Sequence, residues 1–148
     1  MTTTHSFNSN QTRFNSVQAD AHPFCLVCNR SNPLGLGLKF ICEADGSVST
    51  TFLGHPALEG YQGRLHGGVI ASLLDGAMTN CLFAHGRVAV TGELNVRYHA
   101  PVVIGEEMRV RAWIERSRPP LHELAAELKQ GGEVKATATA KFMERSNA

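Results

Sequence analysis

Apolar and polar residues change period along this chain, and each change predicts an element. From Gly67 to about Phe83, Val69, Ile70, Leu73, Leu74, Ala77 and Met78 recur three and four residues apart, which is the spacing of one wide helix face. Gly68, Ala71, Ser72, Asp75 and Thr79 form a second stripe of small and polar residues. Asp75 therefore lies not on the most apolar face but in a narrow strip that another backbone or a ligand can approach closely. After "AHGR" the period drops to two. Val88, Val90, Leu94, Val96 and Tyr98 alternate with Ala89, Thr91, Glu93, Asn95 and Arg97, predicting a long half-buried strand that Pro101 ends. "EMRVRAWIERS" and residues 134–142 repeat the alternation. Upstream, "LGLKFICE" and "SVSTTFLG" flank "ADG", a hairpin signal, while "NRSNPLGLG" reads as a turn and "HPALEGYQGR" as a loop. "LHELAAELKQ" fits the helix template through Leu121, Leu124, Ala125 and Leu128, and it is rich in helix-forming residues. Two strands, one apolar helix and three or four further strands predict an α+β fold with a long antiparallel sheet wrapped around the helix.

Length and charge narrow the class. The 148 residues suit one domain with a sizeable core. The formal net charge is +1, with acids and bases interspersed, and no basic run suggests a nucleic-acid partner. The polar segment 1–20 lacks the apolar stretch of a signal peptide, and no segment approaches 18 apolar residues. A soluble cytoplasmic protein is expected, with a flexible N-terminal segment over 1–20 and a single domain over 21–148. Cys42 and Cys81 sit in apolar stretches as small hydrophobes. In "HPFCLVC", His22, Cys25 and Cys28 could supply three metal ligands. A second ligand pair at zinc-finger spacing is absent, so the expectation is a loop whose thiols pack inward, with no metal.

Three stretches carry a resemblance: "FCLVCNRSNPLGLGLKF", "YQGRLHGGVIASLLDGAM" and "VTGELNVRYHAPV". The His-Gly-Gly run entering an apolar helix, with an aspartate nine residues after the histidine, resembles hotdog-fold thioesterases of the phenylacetyl-CoA thioesterase (PaaI-like) group. The resemblance runs from about Pro23 to Glu144. It implies five or six antiparallel strands around one long central helix and pairing of two subunits into a continuous sheet. It also implies hydrolysis of an acyl- or aryl-CoA thioester, with coenzyme A as part of the substrate and no separate cofactor. Against the periodicity, it implies that "LHELAAELKQ" is a strand, with "GG" closing a hairpin.

Thioester hydrolysis needs an attacking oxygen, a base or nucleophile, and donors for the developing oxyanion. A helix start supplies donors, because its first N–H groups lack intrahelical partners. Glycine at 67 and 68 lets a carbonyl approach without an intervening Cβ. The Gly67 N–H is therefore the candidate oxyanion donor, and Asp75 the candidate nucleophile or general base. Helical residues rise about 1.5 Å each, placing Gly67 and Asp75 about 12 Å apart along the axis, too far to serve one carbonyl. A two-fold dimer in which Asp75 of one subunit faces the partner subunit's Gly67 resolves this, and a dimer of dimers is in keeping with the resemblance. Thr91 is a candidate for holding the water or the carboxylate, or an ordinary strand residue. His66 either helps polarise the carbonyl or bonds the backbone at the helix entry. Gln62, Gly68, Leu74, Met78, Asn95 and Arg97 are candidate substrate contacts. Arg97, Arg109, Arg111 and Lys141 could meet the coenzyme phosphates or simply be surface charges. The resemblance implies that some relatives carry an Asn just before the His-Gly-Gly run, where this chain has Gly60 and Gln62, and often a Glu after the aspartate, where Gly76 stands. Those departures keep a noncatalytic acyl-CoA-binding dimer in view, and a hydratase or dehydratase is the weaker third reading.

Overall fold

The computed structural model describes residues 3–145. Its elements, in chain order, are α1 (Thr3–Ala21), β1 (Ile41–Cys42), β2 (Val48–Leu53), α2 (Gly67–Ala84), β3 (Val90–Tyr98), β4 (Glu107–Arg118), β5 (Leu121–Gln130) and β6 (Glu133–Met143), with a short 3-10 turn at Pro56–Leu58. The strands form one six-stranded sheet in the order β1-β2-β4-β5-β6-β3, and every pairing is antiparallel.

α2 is the centre of the core. Leu73, Leu74, Ala77, Met78, Cys81 and Leu82 are wholly buried against the inward residues of the sheet. Alternation selects those residues: Met108, Val110 and Ala112 on β4, Leu124, Ala126 and Leu128 on β5, and Ala136, Ala138, Ala140 and Phe142 on β6. The run of inward alanines on β6 leaves room for a helix backbone to lie close to the sheet. By length and mean hydropathy alone α2 could cross a membrane, but 67% of it is buried inside the domain.

Residues 121–130 form a strand, as the resemblance implied and the helical periodicity did not. β5 pairs with β4 on one side and β6 on the other, and two ladders outweigh a helix propensity of a few tenths of a kcal/mol per residue. Its His122 is fully buried. The ring is satisfied by Ser117 at 2.7 Å and Glu144 at 2.8 Å, which ties the strand to both of its neighbours' ends.

Within the N-terminal segment, expected as a flexible stretch over 1–20, α1 begins at Thr3, and its later residues are anchored. Phe14 is buried in the core. Arg13 donates to the Ala84 carbonyl at 2.8 Å, at the C-terminus of α2, where a cation also meets the helix dipole favourably. Gln18 donates to Asn80. The Gln11 amide bridges the Phe40 carbonyl and the Cys42 N–H. Polar composition concealed this docking because most of the ties are side-chain amides and a guanidinium, not an apolar stripe. The predicted hairpin is present, but its first strand shrinks to Ile41–Cys42. Residues 36–38 instead bond to the segment 26–27.

The hairpin turn generates an acid-sensitive contact. Asp45 accepts from the Ser47 hydroxyl and N–H and from Arg111; these bonds hold its carboxyl down at about 2. A carboxyl lowered in this way stabilises the fold above its ordinary value, and the contribution is lost as pH falls towards about 2. Because the group is largely exposed, Asp45→Asn is expected to cost under about 1 kcal/mol at neutral pH. The difference from wild type should shrink in urea unfolding below pH 4, approaching zero near pH 2.

Candidate active site

The site begins at the entry to α2. His66 caps the helix: its Nδ1 accepts from the Gly68 N–H at 2.8 Å. The N–H of Gly68, a candidate substrate contact, is thus engaged by the chain itself. The Gly67 N–H has no bonded acceptor among the described residues. Its carbonyl accepts from the Tyr98 hydroxyl at 2.7 Å, which fixes the first turn against β3. A cleft of about 340 Å³ opens beside it, lined by Tyr61, Arg64, Gly67, Tyr98, His99 and Pro101 among others. Its far wall, the loop after β3, is clamped by the buried Gln130 side chain, which bonds Val103 and Glu106. A larger cleft of about 710 Å³ lies between α1 and residues 37–42 and touches none of the candidate catalytic groups.

Two turns along α2, Asp75 is half-buried on the stripe of small residues. Thr91 donates to its Oδ1 at 2.7 Å. Simple alternation had put Thr91 on the opposite side of its strand from Leu94 and Val96. The register shifts between Thr91 and Glu93, a bulge at Gly92. Thr91 pairs with Phe142, and Leu94 with Ala140. Both partners face the core, so Thr91 shares the helix-facing side with Leu94. One inserted residue re-aims the hydroxyl at the carboxylate. A glycine inside a strand pattern was the available signal.

The other candidates separate. Leu74 and Met78 are wholly buried core residues, so neither side chain is open to a ligand on this chain. Gln62, Asn95 and Arg97 are exposed; Asn95 donates to Glu93. Arg109 and Arg111 pair with Glu43 and Asp45, and Lys141 with Glu93. Sequence reasoning did not single out Tyr61, Arg64 or His99, because loop residues carry no period.

The 22–28 segment lies against the same helix. His22 meets Phe83 edge-on, with ring centroids 4.8 Å apart. Burial lowers the pKa of His22, and the charge of Asp75 opposes this more weakly. The Cys28 thiol is pushed up to about 12, first by burial and then by Cys25. This packing accounts for Gly76: a Cβ there would lie 2.6 Å from Val27 Cγ1. A Cβ at Gly60 would similarly lie 3.3 Å from the His66 Cα.

A six-stranded antiparallel sheet around one helix, with a glycine-flanked helix start and a helix-borne carboxylate, defines a hotdog protein. The sequence model of the Thioesterase superfamily matches residues 62–137, just over half the chain, and the chain belongs to that superfamily. Acyl-coenzyme A thioesterase THEM4 from Bos taurus is 28% identical over 85 residues, 55% of this chain and 35% of that protein. The match to these curated relatives thus spans little more than a third of their length. A phenylacetic acid degradation-related protein from Ralstonia eutropha superposes with TM-score 0.71 at 25% identity, over 88% of this chain and 98% of the other. The PaaI protein of Escherichia coli superposes with TM-score 0.78 over 96% and 98% of the two chains, at 15% identity, a likeness of fold.

Helix propensity alone would make Gly76→Ala stabilising by about 1 kcal/mol. The contact with Val27 reverses the sign, and a net loss of about 1–3 kcal/mol is expected from overpacking. Chemical denaturation checks this, and Val27→Ala in the same chain should recover most of the loss relative to Val27→Ala alone.

Proposed function

We propose that this protein is an acyl-CoA thioesterase working as a homodimer. The observation that carries the reading is the placement of two complementary groups on one rigid helix. An unengaged Gly67 N–H sits at its start, and a Thr91-held carboxylate sits about 12 Å farther along the axis. Neither position alone completes a site. Two-fold pairing sets Asp75 of one subunit opposite the partner subunit's Gly67, giving two equivalent sites. The name of the THEM4 relatives and the family membership support the substrate class.

Thr91 occupies Oδ1 of Asp75, leaving Oδ2 for the reaction. As a general base, Oδ2 takes a proton from water as the water oxygen bonds to the thioester carbon. The carbonyl electrons move onto oxygen, where the Gly67 N–H and the positive end of α2 stabilise them. As the tetrahedral centre collapses, the C–S bond breaks and the coenzyme thiolate leaves, recovering the proton. As a nucleophile, Oδ2 would bond to that carbon directly, the C–S bond would break to release the coenzyme thiolate, and water would hydrolyse the mixed anhydride, freeing the acid, Asp75 and the proton that the thiolate takes up. His66 supports either course as a cap that holds the helix start. The cleft beside Gly67, with Arg64 and His99 on its wall, suits the polar coenzyme arm.

Thiol release from a panel of aryl-, short- and long-chain acyl-CoAs tests the activity. Asp75→Asn is expected to lower kcat by about 10²–10⁴-fold with the fold unchanged by circular dichroism; wild-type turnover in that variant would sink the reading. Thr91→Val removes one charge-assisted bond, worth about 1.5 kcal/mol, and should slow kcat roughly 10-fold.

Shared sites make a separate prediction. Gly67→Pro removes the N–H and puts a ring where the carbonyl would approach, at the first helical position, where proline is tolerated, and His66 already has the extended conformation that proline requires of its predecessor. Each single-variant homodimer should be nearly inactive. A mixed dimer of Asp75→Asn and Gly67→Pro chains should regain one intact site and about half the wild-type kcat per dimer. If both groups belonged to one subunit's site, mixing would restore nothing.

A further inference from the structure

The segment "HPFCLVC" has no part in the thioesterase reading, yet the fold converges its three donor side chains. The donor atoms of His22, Cys25 and Cys28 all lie within 4.8 Å of one another. His22 Nδ1 is 3.5 Å from Cys28 Sγ. A tetrahedral zinc centre with Zn–S near 2.3 Å and Zn–N near 2.0 Å separates sulfur from nitrogen by about 3.5 Å and two sulfurs by about 3.8 Å. The observed spacing is already close to that.

The backbone holds the donors from both sides. His22 follows directly on α1, with its N–H bonded to the Gln18 carbonyl, and its carbonyl accepts from the Asn29 amide at 3.0 Å. Cys25 and Cys28 lie in a tight turn closed by the Asn29 N–H on the Cys25 carbonyl. Within that turn the Val27 N–H points at Cys25 Sγ at 3.3 Å, a bond that favours sulfur carrying negative charge. Phe83 fixes the ring plane. Cys28 is buried, while His22 and Cys25 are half-buried, so an ion has a way in and a fourth position is left to solvent.

We propose that His22, Cys25 and Cys28 form a binding site for a zinc-class divalent ion, taken through Nδ1 and two thiolates. Two sulfurs and an imidazole select a borderline-soft ion over magnesium or calcium. Binding displaces the two thiol protons, and the resulting dithiolate–zinc centre carries no net charge. Its place in the fold gives it a structural role. It joins the C-terminal end of α1 to the turn whose Val27 lies on Gly76, next to Asp75 on α2. The ion would pin this layer onto the helix that carries the carboxylate.

The test uses the full chain, reduced, chelator-stripped and titrated with Co²⁺. One equivalent per chain should give thiolate-to-cobalt charge-transfer absorption and tetrahedral ligand-field bands, both abolished by Zn²⁺. Cys25→Ser and Cys28→Ser should each weaken the charge-transfer band, and His22→Ala should lower affinity by more than about 100-fold. Zn²⁺ should raise the Tm of wild type but not of the Cys25→Ser/Cys28→Ser chain. Circular dichroism in chelator identifies variants that keep the fold; Cys25→Ser, at a half-buried position, serves if Cys28→Ser does not. Absence of charge transfer in wild type, or its persistence in the double variant, would overturn the proposal. So would formation of a Cys25–Cys28 disulfide in preference to the zinc complex when zinc and mild oxidant compete. None of these readouts depends on thioesterase activity.

Discussion

Everything in this molecule is arranged around the need to bury one long apolar helix. α2 offers an unusually wide apolar surface, and no single neighbouring helix could cover it. A curved antiparallel sheet can, provided its inner residues are small where the helix comes nearest, as with Ala136, Ala138 and Ala140. The side of α2 that the sheet leaves uncovered is the stripe of Gly68, Ala71, Ser72 and Asp75. Burial of one face therefore defines where chemistry can occur on the other, and the carboxylate sits at the boundary.

Rigidity gives the helix its second function, as a ruler. A helix start and a residue two turns along it cannot meet, and no side-chain rotamer changes that. On the proposed reading, chemistry that needs both an oxyanion donor and a carboxylate would recruit a second copy. The same rigidity makes the support around each group matter. Gly67 is fixed by Tyr98 and by the His66 cap, and Asp75 is held by Thr91 across the bulge in β3. The layer formed by α1 and residues 22–40 adds a third constraint. It occupies the space beside Gly76 where a larger side chain would stand.

Much of this was legible from the chain. Helix α2 was found nearly to the residue, because an apolar period sustained over five turns has no competing explanation. The strands at 90–98, 107–118 and 133–143 followed from alternation. The pairing of a His-Gly-Gly helix start with Asp75 was readable because it is local. Failures came where the deciding contact lay elsewhere. In 121–130, residues with helical preferences were made a strand by two neighbouring ladders. Thr91 was put on the wrong side because a one-residue bulge inverts parity without altering composition. Leu74 and Met78 looked available to a ligand, since a helical wheel cannot say which apolar residues the sheet will cover. The docking of α1 was missed because it relies on Phe14 and a few polar side chains bonded to distant backbone groups.

By itself, then, the sequence determined the elements with strong periodicity, the α+β class and the helix that bears the candidate chemistry. These depend on neighbours within a few residues, where backbone geometry is nearly fixed. Tertiary structure alone decided which side of β3 faces Asp75, which glycines are required, and that the loop holding three closely spaced donors packs beside the helix. Those outcomes depend on approaches between segments far apart in the chain, and a difference of one residue or one methyl group reverses them.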